Sequence, residues 1–243
     1  MKYILVIQTA FLGDTVLATS VLEKLHGIYP EAQLDILVRK GNESLFDGHP
    51  FLNKVIVWNK KEGKYKSMSG IIQDYRSIQY DAIINLQRFA SSGFMTWRLK
   101  GKWKSGFNKN PFSFCYQHKA RHVIGDGRHE IQRNQELIAP ITDDQPASPR
   151  LYPTKDHQQK ASQFSEKPYI TIAPASVWFT KQFPVYKWRE LIDAIPSYHA
   201  IYLLGGPGDF EVCQQVALDR PQAKNLAGEL SLLETAALME KAP

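Results

Sequence analysis

Residues 3–25 read YILVIQTAFLGDTVLATSVLEKL. The stretch 3–7 is apolar throughout, the pattern of a strand buried on both faces in a parallel sheet. From residue 15 to 26 the period changes, and Val16, Leu17, Val21, Leu22 and Leu25 fall on roughly one helical face. Gly27 and Pro30 end that helix. Between strand and helix stands Leu12-Gly13-Asp14-Thr15. It puts a carboxylate in the loop beyond the carboxyl end of a first strand, where open α/β sheets bind ligands. Gly13 lets the backbone turn sharply there. Asp14 or Thr15 can cap the helix by accepting a backbone N–H, which is the ordinary role of Asp at such a place.

The same alternation continues outward. Residues 34–38, 54–57 and 81–86 are predicted strands, and 67–79, 90–99 and 129–139 predicted helices. This βαβ rhythm implies a parallel sheet with right-handed crossovers. Residues 140–167 carry Pro140, Pro146, Pro149 and Pro153 among polar neighbours, the composition of a linker, with a helix in its later part. The rhythm then restarts, with strands at 169–173, 200–204 and 223–226 and helices at 186–195, 208–218 and 230–241. Three strands are fewer than the five or six of a doubly wound domain. The expectation is α/β architecture in two domains, 1–150 and 151–243, the second incomplete, by truncation of the gene or of the expressed chain.

At 243 residues and 43% hydrophobic, the chain is that of a globular protein, and it has no apolar run of membrane-spanning length. The two cysteines, Cys115 and Cys213, form no C-x-x-C pair, which argues against a metal knuckle and fits a reducing cytoplasm. Charge is uneven. Residues 1–150 hold 21 Lys and Arg against 14 Asp and Glu, and residues 151–243 hold 9 against 10. A basic first half suits an anionic partner such as a phosphorylated sugar, an anionic lipid surface or nucleic acid. Its cations cluster twice: Lys60, Lys61, Lys64 and Lys66 around Tyr65, and Arg98, Lys100, Lys102, Lys104 and Lys109 among Trp97, Trp103 and Phe107. Either cluster is also readable as a basic loop with buried aromatics.

Two further loops lie at strand carboxyl ends. Ala173-Pro174-Ala175-Ser176, continuing to Thr180-Lys181-Gln182-Phe183-Pro184, offers a hydroxyl and a point positive charge suited to phosphate; Lys181 is equally readable as a solvated surface lysine. Gly205-Gly206-Pro207-Gly208-Asp209-Phe210-Glu211 is glycine-rich before a helix, so its N–H groups can cradle an anion. Asp209 or Glu211 can hold a ribose or simply complement the helix dipole. His129-Glu130 lacks the partner of a zinc helix, and neither a serine triad order nor a Walker lysine loop is present.

The combination is more specific than its parts. Leu12-Gly13-Asp14, Asn85-Leu86-Gln87, His129-Glu130-x-x-Arg133-Asn134, Ala173-Pro174-Ala175-Ser176…Lys181-Gln182-Phe183-Pro184…Trp188, Gly205-Gly206-Pro207-x-Asp209-x-Glu211 and Asn225-Leu226-Ala227-Gly228…Leu232-x-Glu234 follow in one order. This series resembles glycosyltransferase family 9, the ADP-heptose:lipopolysaccharide heptosyltransferases, over essentially the whole chain. The resemblance implies a GT-B fold of two Rossmann-like domains facing a cleft. It implies inverting, metal-independent transfer of a heptose or related sugar from a nucleotide-sugar such as ADP-heptose to a phosphorylated glycolipid of the lipopolysaccharide core. The nucleotide-sugar is then a substrate, and no cofactor is expected.

Under that resemblance Asp14 matches the general base. Lys181 matches the lysine on the donor phosphates, with Ser176, Gly205 and Gly206 beside it, and Asp209, or less securely Glu211, matches the ribose contact. Acceptor contacts are expected from Gly13, Thr15, Gln87 and Arg88, and from Lys60, Lys61 and Lys64. Expected partners are the donor and the glycolipid, with peripheral contact at the inner face of the cytoplasmic membrane and no nucleic acid. Three departures stand out. The chain ends at Glu240-Lys241-Ala242-Pro243, before the family's Asp-(Ser/Thr)-Gly-x-x-His segment; Ala175 replaces the usual Gly; and Phe183 stands where Trp is common. The alternatives are a non-catalytic nucleotide-sugar or glycan-binding protein of this fold, an inactive truncated fragment, and a basic nucleic-acid-binding α/β protein.

Overall fold

The computed structural model describes residues 1–242 and divides into two compact units, Met1–Tyr152 and Pro153–Pro243. The first contains β1 (Tyr3–Gln8), α1 (Leu12–Ile28), β2 (Gln33–Arg39), β3 (Leu52–Trp58), α2 (Lys64–Tyr75), β4 (Gln79–Asn85), α3 (Ala90–Arg98), β5 (Lys100–Phe107), β6 (His118–Ala120) and α4 (Glu130–Glu136). All its strands pair in parallel, in the spatial order β3-β2-β1-β4-β5-β6. The chain winds outward both ways from β1 and β4, so the crevice between their carboxyl ends is the topological switch point at which such sheets take ligands.

The unbroken apolar run of β1 has its cause in this order. The strand is central, and Ile4, Leu5, Val6 and Ile7 are all fully buried. Leu5 and Ile7 join Leu37, Met68, Ile71 and Met95 beneath α2 and α3. Each such buried aliphatic side chain contributes roughly 1.5–3 kcal/mol. Helix α1 covers the opposite face with Val21, Leu22 and Leu25 inward, and α4 packs beside it.

Two expectations change here. Helix α1 begins at Leu12, not at residue 15, with Phe11 at the N-cap and no side-chain cap. Gly13 therefore lies in the first helical turn with no left-handed φ, and a Cβ there would meet open space. The second basic cluster is largely a strand: β5 carries Lys100, Lys102 and Lys104 in alternation, and it continues the sheet to β6. Lys104 is buried, its ammonium donating to the Trp97 carbonyl at the end of α3.

The second unit contains α5 (Lys155–Ser162), β7 (Tyr169–Ile172), α6 (Val185–Ala194), β8 (Ala200–Leu203), α7 (Phe210–Ala217), β9 (Ala223–Asn225) and α8 (Leu232–Glu240). Its strands are parallel in the order β7-β8-β9. Ile172, Ile192, Leu203, Cys213 and Val216 pack α6 and α7 onto the sheet. A second cluster including Ala161, Phe164, Tyr169, Ala237 and Leu238 involves α5 and α8, and the Tyr169 hydroxyl donates to the Leu238 carbonyl at 2.6 Å. Among the described residues no helix is long and apolar enough to cross a membrane.

Candidate functional site

At the switch point of the first unit the floor is polar and buried. Gln8 at the end of β1 accepts the side-chain amide of Gln87, just past β4, at 2.5 Å, and also the Ala10 N–H at 3.1 Å. Asn85 accepts the Gln87 N–H and donates to the Tyr116 hydroxyl. Asn110 donates to the carbonyls of Gln87 and Phe89. Buried amides paired in this way fix the loops after β1, β4 and β5 against one another. Gln87, expected to touch a ligand, is thus buried and engaged in holding those loops.

Asp14 stands in the first turn of α1, half-buried. Its carboxyl is held above the usual carboxylate range, first by burial and then by the like charge of Glu130 at the start of α4; a hydrogen bond from the Phe11 N–H offsets part of this. Thr15 beside it is buried, donates to the Phe11 carbonyl and accepts from the Asn42 side chain at 2.7 Å, so its hydroxyl is occupied by the fold. Glu130 is itself held by the Arg133 guanidinium at 2.8 Å.

Lys60 reaches back from the loop after β3 and donates to the Thr9 carbonyl at 2.5 Å. Burial, Arg39 and Lys64 together bring its ammonium down to about 8. Arg39, Lys40, Lys60 and Lys61 line one open pocket beside the first loop, and Arg39 stacks on the Phe11 ring. Four cations crowded in this way, against the single carboxylate of Glu62 in the same lining, favour an anion. Lys64 opens α2 and Arg88 lies exposed before α3.

Sequence reasoning missed His122. It is buried two residues past β6, packed edge-on to Phe107, with its Nδ1 unpartnered. Burial and then Arg88 hold its imidazole below the ordinary range. With β6 unrecognised, nothing in the sequence set this residue just beyond the carboxyl end of a strand. Arg39 was missed because it is the last residue of β2, beyond the apolar run that marked the strand.

In the second unit Ser176 follows β7 and accepts the Trp178 N–H, while its carbonyl accepts the Gln182 side chain. Lys181 ends the single turn Phe179–Lys181, exposed, and among the described residues it has no side-chain partner. After β8, Asp209 accepts the Gly206 N–H at 2.8 Å and closes the glycine-rich loop on itself. A Cβ on Gly205 would lie 2.7 Å from the Asp209 Cβ, so this closure requires glycine. Gly228, at φ 80°, brings its backbone against Pro207 and donates to the Gly205 carbonyl. Glu211 lies in the first turn of α7, exposed and without a partner among the described residues. Nowhere among those residues do three His, Cys, Asp or Glu side chains converge as a metal site would require.

Known proteins resemble the chain in sequence and in fold. The chain is 26% identical over 207 residues to lipopolysaccharide heptosyltransferase 1 of Pseudomonas aeruginosa, covering 78% of this chain and 57% of that one. It therefore spans little more than half the length of that relative. In fold it is similar to a glycosyl transferase family 9 protein from Veillonella parvula (TM-score 0.86, 21% identity, 99% of this chain and 74% of that one). The Escherichia coli heptosyltransferase WaaC, solved with ADP, superposes at a TM-score of 0.76 with 22% identity over 99% of this chain and 79% of that one. The sequence pattern of glycosyltransferase family 9 (heptosyltransferase) matches residues 68–243, and the chain belongs to that family.

Proposed function

We propose that this chain forms the catalytic part of an inverting glycosyltransferase that moves a heptose or related sugar from a nucleotide-sugar such as ADP-heptose to a phosphorylated glycolipid. Asp14 carries the reading: its carboxyl is raised by burial and by Glu130 at the switch point of a Rossmann-like sheet. A carboxylate with raised proton affinity is a better general base. In the reaction the acceptor hydroxyl oxygen attacks the anomeric carbon, the bond from that carbon to the diphosphate breaks, and Asp14 takes the hydroxyl proton. The diphosphate leaves with its electron pair, and Lys181 with nearby N–H groups stabilises the charge. The first unit takes the acceptor, with Arg39, Lys60 and Lys61 on its phosphates or carboxylates. The second takes the donor.

The acidic residue on the ribose is Glu211. Asp209, which the motif alone favours, already closes its own loop through Gly206. Support for a nucleotide donor comes from the E. coli neighbour, whose structures contain ADP and ADP-2-deoxy-2-fluoro heptose. With a glycolipid acceptor, the reaction takes place at the inner face of the cytoplasmic membrane. The test is transfer of radiolabelled sugar from ADP-heptose to a lipid A core acceptor. Asp14→Asn is expected to lower kcat by about 10²–10⁴-fold, the range for losing a positioned base, with donor affinity kept. Unchanged turnover would remove Asp14 from the mechanism.

A further inference from the structure

Lys60, in the loop after β3, is held on two sides. Its ammonium donates to the Thr9 carbonyl and stands 4.7 Å from the centre of the Trp58 ring, and Trp58 is fully buried. With Arg39, Lys40, Lys61 and Glu62 it lines an open cavity of about 230 Å³. Glu62 is the one carboxylate of that lining, and it accepts the Asn59 side-chain amide at 3.2 Å. Asn59 in turn accepts the backbone N–H groups of Lys61 and Glu62, so the turn that carries both lysines is fixed by its own bonds.

An ammonium partly out of water and crowded by cations gives up its proton more easily. Burial, Arg39 and Lys64 bring Lys60 down to about 8, so near neutral pH a fraction of it is free amine, whereas an ordinary lysine is almost wholly protonated. The free amine is a nucleophile toward carbonyl carbon. It can still donate one N–H to Thr9, which leaves its lone pair for the cavity. Lys104 provides a contrast. Burial lowers it too, but it is only 9% exposed and its ammonium is bonded to the Trp97 carbonyl, so it is shielded from reagents.

The lining also selects the reagent. Arg39, Lys40 and Lys61 suit the dianion of a phosphate group. The cavity is smaller than the ~300 Å³ at which pockets for drug-sized ligands begin, so it has room for a small phosphorylated molecule only. In an acyl phosphate the phosphate is at once the handle and the leaving group. We infer that Lys60 is a site of covalent acylation by small acyl phosphates, with Arg39, Lys40 and Lys61 holding the phosphate. Lys60 first releases its ammonium proton to solvent. The Nζ lone pair then attacks the acyl carbon, and the bond from that carbon to the phosphate oxygen breaks. Inorganic phosphate leaves with the electron pair and takes a second proton from Nζ, and a neutral amide remains. One positive charge is thereby removed from the lining. On the reading that Lys60 meets acceptor phosphates, the modification lowers acceptor affinity; the acylation itself does not rest on that reading.

The test is incubation of the purified chain with acetyl phosphate near neutral pH, with acetylated lysines followed over time by peptide mass spectrometry. Lys60 is expected to react about tenfold faster than exposed lysines such as Lys100 and Lys155, because its larger free-amine fraction outweighs its lower basicity. Inorganic phosphate is expected to slow the reaction at Lys60. p-Nitrophenyl acetate, an acyl donor without phosphate, separates recognition from reactivity: Arg39→Gln should slow acetylation by acetyl phosphate several-fold more than acetylation by the ester. Acetylation spread evenly over the lysines, no protection by inorganic phosphate, or an equal effect of Arg39→Gln on the two reagents would each overturn the inference.

Discussion

Asp14 and Glu130 are two carboxylates brought near each other by α1 and α4, and only one of them has an arginine. This asymmetry assigns their roles: Arg133 pairs with Glu130, and the like charge of Glu130 raises the proton affinity of Asp14. The base is active only when deprotonated, so transfer is expected to rise with pH through a value above that of an ordinary carboxylate. Glu130→Gln removes the like charge while burial, the larger cause, remains. The acid limb of the pH–rate profile should therefore move to lower pH, with the plateau rate little changed. An unmoved limb in a folded variant would show that Glu130 does not set the Asp14 titration.

At the scale of elements, the turn between β8 and α7 separates two acidic residues that one motif presents together. Asp209 is committed to the Gly206 N–H, and Gly205 leaves the room its side chain occupies. Gly205→Ala is expected to destabilise the second unit by about 1–3 kcal/mol, as overpacking does. Glu211→Ala touches nothing in the fold and is expected to leave the melting temperature alone while raising KM for the donor about tenfold, the loss of one charge-assisted hydrogen bond. If Asp209→Asn raised that KM and Glu211→Ala did not, the assignment would reverse. The sequence made these loops legible because strand, glycine and acid stand adjacent in it. It did not make β5 and β6 legible. Lys100, Lys102 and Lys104 alternate along β5 where a half-buried strand was expected to alternate apolar side chains, and Gly101 and Gly106 weaken the pattern further. β6 is only three residues long. Both strands are stabilised by pairing onto β4 and onto each other, a long-range cause that local periodicity does not carry. Missing them hid His122 and made the second basic cluster read as a loop.

Across the molecule, one partly buried histidine outside the proposed chemistry leaves both of its ring nitrogens unpaired. His49, in the connection between β2 and β3, has both ring nitrogens buried without partners. It packs edge-on to Phe51 and to Tyr152, while His26 of α1 stacks on Phe51 at 4.0 Å. Tyr152 in turn bonds Glu23 and is the last residue of the first unit. The cluster thus ties three distant parts of that unit, and it requires a neutral ring. Burial, with His26 adding to it, holds His49 down to about 4. The unfolded chain takes up this proton near pH 6.5, whereas the folded one resists until about pH 4. Stability must therefore fall as pH drops through that window, by on the order of 3 kcal/mol at most. His49→Phe keeps the aromatic packing and removes the proton, so its urea midpoint is expected to change less than wild type between pH 7 and pH 4.5. Parallel curves for the two proteins would mean that the acid sensitivity of the first unit arises elsewhere.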